Sequence, residues 1–271
     1  MPSLDMPGLD PLFRTGFGYL ALMALASARL SIIVLVLPVF NRTGVTGIRR
    51  VCVALVLSLP IAWHLLGGLD QVMATGVGPL TLLIVKESFI GLLLGFGFGI
   101  PFWAAAAAGD VLDLQRGSQM AYLIDPSQIS EASISGTFLQ LVMVALFYVG
   151  GGPHLLLTAL YDSYGLWPPL APMPSFAPDG AALLLAMLDR IMMLAFLLGA
   201  PLFIVLFMVE ATMALVARMS PQLHIFDLSL PVKGIALFTV LPVYITFYIH
   251  HADTLLGDEH GVLATLAQLL R

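Results

Sequence analysis

The sequence predicts an all-α, multi-pass helical membrane protein, and three observations carry that prediction. Of its 271 residues, 59% are hydrophobic and only 10% charged, where an ordinary soluble domain carries about 25% charged residues. The mean hydropathy is +1.00, so a soluble chain of this size would lack the charges to clothe its surface. The apolar residues also gather into six runs, at about 17–40, 51–68, 80–108, 134–160, 181–217 and 234–251. A helix needs roughly 20 apolar residues to cross the hydrocarbon core.

Taken in order, residues 1–16 hold Asp5, Asp10 and Arg14 and lack the basic start of a secretory signal, and the first run is longer than a signal's apolar core. It is expected to stay in the membrane. The six runs contain Pro38, Pro60, Pro101, Pro153, Pro201 and Pro242, one each, which predicts broken or kinked helices in a bent bundle. In the third run Gly91, Gly95, Gly97 and Gly99, followed by Ala104 to Ala108, predict close helix packing of the small-xxx-small type. The fifth run is too long for one straight crossing and reads as a tilted helix or a re-entrant hairpin around Gly199-Ala200-Pro201. Between runs four and five, Trp167-Pro168-Pro169 with Pro172, Pro174 and Pro178 predicts a rigid connector or interfacial cap. No repeat of fixed period is visible, so residues 1–271 read as one domain with a C-terminal tail at 252–271.

Charge orients the bundle. Arg42, Arg49, Arg50, Arg116, Arg218 and Lys233 fall in the segments 41–50, 109–133 and 218–233, while 69–79 and 161–180 contain no Lys or Arg. By the positive-inside rule the first three segments are cytoplasmic and both termini lie on the other side. The formal charge of -5 without a basic tract disfavours nucleic acid as a partner. The lone Cys52 offers no internal disulfide.

Six ionisable residues fall in or near the apolar runs: Arg29, Lys86, Glu87, Asp189, Arg190 and Glu210. Each costs roughly 2.5–3.5 kcal/mol at a helix centre, so each should face protein or water. Buried ion pairs that fix assembly geometry are the favoured reading, ahead of an ion relay or snorkelling. Neighbours on a helix point about 100° apart, so Lys86 and Glu87 are expected to find separate partners. The most polar stretch among the runs is Gly109 to Glu131, where Asp110, Asp113 and Arg116 recur every three residues on one helical face that ends at Gly117. It reads as a solvated loop or as a pore-facing gating element.

Catalytic templates fail. Asp110 and Asp113 have no third carboxylate at a spacing that would complete a metal site, and His64, His154, His224, His250, His251 and His260 are scattered. Ser133-Ile134-Ser135-Gly136 lacks a nucleophile elbow and a placed base, and no phosphate loop is present. No enzyme activity, cofactor or metal is expected.

Several motifs resemble the SctT/FliR export-gate family of type III secretion systems. They are Lys86-Glu87-Ser88-Phe89-Ile90-Gly91, Pro101-Phe102-Trp103, Ala107-Ala108-Gly109-Asp110 and Asp113-Leu114-Gln115-Arg116-Gly117. A second block runs from Ser220-Pro221-Gln222-Leu223 through Phe226-Asp227-Leu228-Ser229-Leu230-Pro231-Val232-Lys233. The Gln-Arg-Gly tripeptide and the second block look more like the injectisome branch than the flagellar one. The resemblance implies a structural and gating subunit of a bacterial inner-membrane channel. It implies SctR-like and SctS-like subunits, an SctU-like switch protein and exported unfolded proteins as partners. It places Asp110, Asp113, Gln115, Arg116 and Gly117 in a loop that plugs the closed channel, and Pro221, Phe226, Asp227, Pro231 and Lys233 in a cytoplasmic-side block. It also implies that the hairpins are raised toward the periplasm, with sister subunits rather than lipid against them. The rival class is a proton-coupled small-solute transporter using Glu87, Asp189 or Glu210.

Overall fold

A computed structural model describes residues 11–117, 133–171, 180–220 and 225–257, with the side chains of 11–14, 225–227 and 251–257 left undescribed. The described residues form helices and no strand: α1 (Pro11–Val36), α2 (Pro38–Arg42), α3 (Ile48–Leu65), a 3-10 turn (Leu66–Gly68), α4 (Leu69–Ala74), α5 (Val77–Gln115), α6 (Ile134–Val149), α7 (Gly152–Leu166), α8 (Gly180–Met219) and α9 (Ile225–Gly257). Five of them, among the described residues, are long and apolar enough to cross a membrane, and α6 with α7 makes a sixth if the broken pair counts as one span. The chain is thus an all-α multi-pass membrane protein.

The prolines behave differently from one another. Pro38 ends the first span: Leu37 turns extended and Pro38 opens α2 at a first-turn position, where its missing N–H is not needed. Pro153 sits likewise in the first turn of α7, after a break at Gly150-Gly151 where Gly151 takes φ +79°. Pro60, Pro101, Pro201 and Pro242, however, lie inside continuous helices, so the expected breaks do not occur there. Each removes one donor, and the ladder continues on either side. The fifth run is one helix of 40 residues, which retires the hairpin around Gly199-Ala200-Pro201.

Helix also replaces parts of the expected loops. α5 continues to Gln115, with Leu112 fully buried, and α9 begins at Ile225, inside the expected 218–233 loop. α4 occupies most of 69–79. At the end of α5 and in α4 the segment buries an apolar residue, Leu112 and Val72; at the start of α9 the buried residue is Lys233.

The described residues divide into two compact units, 11–99 with 153–171 and 180–184, and 100–117 with 133–152, 185–220 and 225–257. In the first, Leu22 and Ala26 of α1 meet Ala62 and Leu65 of α3, while Ala21 meets Val72 and Leu80. Leu170, from the connector after α7, packs on both clusters. Gly91 and Gly95 let α5 approach α1: a Cβ at Gly91 would strike the Arg29 carbonyl, and one at Gly95 would lie 3.4 Å from the Ile33 Cα. In the second unit the close crossing is Gly109 on Gly136, where a Cβ on Gly109 would overlap the Gly136 backbone. Phe102 meets Phe147 edge-on at 5.4 Å, Tyr248 donates to the Leu139 carbonyl at 3.2 Å and Tyr244 to that of Leu198.

Candidate functional site

In the second unit the end of α5 is tied to the start of α6. Ser133 caps α6, its Oγ accepting from the Gly136 N–H at 2.8 Å. The same hydroxyl donates to Asp113 Oδ2 at 2.7 Å. Ser135 donates twice to this carboxylate, from its N–H to Oδ2 at 3.0 Å and from its hydroxyl to Oδ1 at 2.6 Å. Arg116 Nε lies 2.9 Å from Oδ1, with its N–H off the line of a hydrogen bond, so that contact is a charge pair. Asp113 is 2% exposed. A buried carboxylate held by three donors and a cation is a pin, and it joins two segments 20 residues apart in sequence.

The neighbouring residues extend the joint. Gly117 takes φ +76° and is capped sterically by Leu230 of α9. Lys233 donates to the Gln115 carbonyl at 3.1 Å, satisfying one of the free acceptors at the end of α5, and pairs with Glu210 of α8 at 3.2 Å. The Arg116 guanidinium stands 5.4 Å over the Phe238 ring. Asp110, by contrast, is exposed. Both carboxylates of the expected shared face meet the first turn of α6: Asp113 is buried there, while Asp110 keeps solvent exposure with its Oδ1 against Gly136, where an added Cβ would strike it. Asp113 is engaged by its serines, and among the described residues no group of three metal-ligating side chains occurs.

A second cluster lies in the first unit. Glu87, fully buried, takes Arg29 Nε at 2.9 Å and lies 3.0 Å from Lys86 Nζ. Glu87 thus has Arg29 of α1 as its hydrogen-bond partner, and the lysine stem also bends back toward its neighbour, a contact the 100° spacing did not lead one to expect. Lys86 also donates to the carbonyls of Pro168, Pro169 and Ala171 at 2.8–3.0 Å. Arg29 reaches Ser163 Oγ at 2.6 Å and the Trp167 carbonyl at 3.0 Å, and stacks 4.0 Å over Tyr164. Two cations thus bind the proline-rich connector to α1 and α5. The Pro168 carbonyl accepts from the Ala171 N–H as well, at 3.1 Å, so the lysine joins a turn that is already closed.

The remaining charges sit elsewhere. Asp189 is exposed on α8 and Arg190 half-buried beside it; Glu210 is 58% exposed. Along the same helix Met192, Met193, Phe196, Ile204, Phe207 and Met208 are exposed. Pro231 is exposed at the start of α9; Pro221 lies outside the described residues, as do the side chains of Phe226 and Asp227 and the whole of 118–132. Ser133, Ser135, Gly136 and the connector carbonyls were not singled out as site residues from sequence. A serine three residues before a glycine at a helix start was the available sign of a cap.

Known proteins are similar to this sequence over much of its length. The model describing bacterial export proteins, family 1, matches residues 20–258. The chain is 37% identical over 174 residues to the Yop proteins translocation protein T of Yersinia pestis, covering 64% of this chain and 67% of that one. It is 30% identical over 220 residues to the surface presentation of antigens protein SpaR of Salmonella typhimurium, covering 80% and 81%. To the flagellar biosynthetic protein FliR of Bacillus subtilis it is 27% identical over 217 residues, covering 79% and 82%.

Proposed function

The chain belongs to the bacterial export proteins, family 1, and on that footing we propose that it is an injectisome-type export-gate subunit, part of the inner-membrane conduit for unfolded proteins. The observation that carries this is the family match across residues 20–258, with higher identity to the Yersinia and Salmonella proteins than to the flagellar one. SctR-like and SctS-like subunits and an SctU-like switch are its partners in this reading, and both termini lie on the non-cytoplasmic side.

The surface of α8 supports a protein-covered location. It exposes a broad apolar face together with Asp189 and Glu210. Carboxylates at a lipid face cost several kcal/mol, whereas a partner helix or a wet conduit accommodates them. The joint around Asp113 supports gating. It fixes both ends of the 118–132 segment, so Asp113 holds the closed arrangement, Arg116 neutralises it and Gly117 supplies the left-handed turn by which the chain leaves α5. Asp110 and Gln115 complete that gate. The transporter reading is weaker, because Glu87 is a buried counter-ion fixed between two cations.

Co-expression of the tagged chain with its SctR- and SctS-like neighbours tests the proposal. Stable copurification of all three, and loss of secretion when this chain is deleted, are expected. A chain that purifies alone, with secretion intact in its absence, would overturn it.

A further inference from the structure

Helix α3, like α8, exposes an apolar face, but it carries no acid there. Its 18 residues span about 27 Å, close to the roughly 30 Å hydrocarbon core. Its small residues turn inward: Ala54, Ser58 and Ala62 are buried, and Ala62 meets α1. Its outer face carries Val51, Leu55, Val56, Leu59 and Trp63, all exposed, with no charge among them. What separates this face from the exposed face of α8 is charge: the α8 face carries Asp189 and Glu210, which lipid penalises, and the α3 face carries none.

The two ends of that face are marked as well. Trp63, 79% exposed, stands near one end, where aromatic side chains settle at an interface. At the other, Arg42, Arg49 and Arg50 surround the turn of residues 43–47. The turn orients two of them: Arg49 donates to the Gly44 carbonyl at 3.1 Å, and Arg50 to Asn41 Oδ1. Neither makes an ion pair among the described residues, and the sequence has no Asp or Glu anywhere between Asp10 and Asp70. Arg49 and Arg50 also stand in the first turn of α3, where no acidic residue and no side-chain cap is present. A helix N-terminus disfavours cations and favours an anion. The charges of Arg49 and Arg50 are therefore open to a negative group from outside the chain.

We propose that α3 faces lipid and that its arginine turn binds the headgroup of an anionic phospholipid, whose acyl chains lie along Val51, Leu55, Val56 and Leu59. The phosphate meets the guanidinium groups of Arg49 and Arg50, with Arg42 alongside. This holds the chain at the cytoplasmic leaflet independently of the gate.

The experiment uses the full chain in its assembled complex, reconstituted in nanodiscs of dioleoyl phosphatidylglycerol or dioleoyl phosphatidylcholine and read by native mass spectrometry. Wild type should retain phosphatidylglycerol in preference. A basic residue near a membrane surface contributes enough for about a five-fold affinity change, so Arg49→Gln/Arg50→Gln should weaken retention roughly 25-fold. Arg49→Lys/Arg50→Lys should keep most of it. As a second readout independent of those variants, a photo-reactive residue at Val56 should label lipid. Equal retention of the two lipids by wild type, or labelling of a sister subunit from position 56, would overturn the proposal.

Discussion

Replacing Asp113 with Asn tests the joint between α5 and α6 at its centre. The change preserves volume and removes charge. Oδ2 accepts from the Ser135 N–H and Ser133 Oγ, and Oδ1 accepts from Ser135 Oγ beside Arg116. An amide can be placed two ways and neither is satisfied. With its nitrogen at the Oδ2 position it confronts the Ser135 N–H, which cannot rotate away. At the Oδ1 position it confronts a guanidinium. A hydrogen bond to a charged group contributes about 1.5–3 kcal/mol, and orphaning a buried donor costs about 1–3 more, so the loss is about 3–5 kcal/mol. At about 2–4 °C per kcal/mol for a chain of this size, the purified protein should unfold roughly 6–20 °C lower. Asp110→Asn, at an exposed site three residues away, should shift unfolding little. Ser135→Ala should couple to Asp113→Asn in a double-mutant cycle. An Asp113→Asn protein as stable as wild type would refute the pinning argument.

Other perturbations follow from single contacts. Gly117→Asp places a side chain at φ +76° and into Leu230, with strain of about 1–2 kcal/mol; the assembled complex should leak ions in planar bilayers, and an unchanged conductance would count against the gating role. Gly109→Ala should destabilise by about 1–3 kcal/mol because its methyl overlaps Gly136, whereas Gly78→Ala on the same helix, with open space around it, should stabilise slightly; thermal unfolding of the two variants should move in opposite directions. Arg29→Gln leaves Glu87 with Lys86 alone and should cost about 3–5 kcal/mol, while Arg29→Met with Glu87→Met should cost less than Arg29→Gln in the same assay.

Hydropathy located the apolar segments well because a membrane or a greasy interface leaves its mark residue by residue. It placed the helix ends poorly. Composition alone did not distinguish a proline that opens a helix, such as Pro38 or Pro153, from one carried inside it, such as Pro101 or Pro201; the difference lies in the preceding backbone, extended at Leu37 and left-handed at Gly151 but helical through Pro101 and Pro201. The end of α5 was extended by Leu112, whose burial depends on tertiary neighbours. For the candidate site, the acids and bases were visible as anomalies in an apolar chain, and the glycine pattern announced the α1–α5 approach. Their partners were not visible. Asp113 is held by serines 20 and 22 residues away, and Lys86 by backbone carbonyls of a connector over 80 residues away, contacts that carry no local sequence period. The 100° rule separated the main partners of Lys86 and Glu87 but missed their mutual contact, because it describes where side chains start, not how far a lysine stem can bend.

The central claim is that the uncovered face of α8 belongs against companion helices around a conduit. Electron cryo-microscopy of the complex purified through a tag on this chain tests it most directly. The expected image has Met193, Phe196 and Phe207 buried by sister subunits, with Asp189 against protein or water in the channel. A solitary chain whose α8 face lies wholly in lipid or detergent would contradict it.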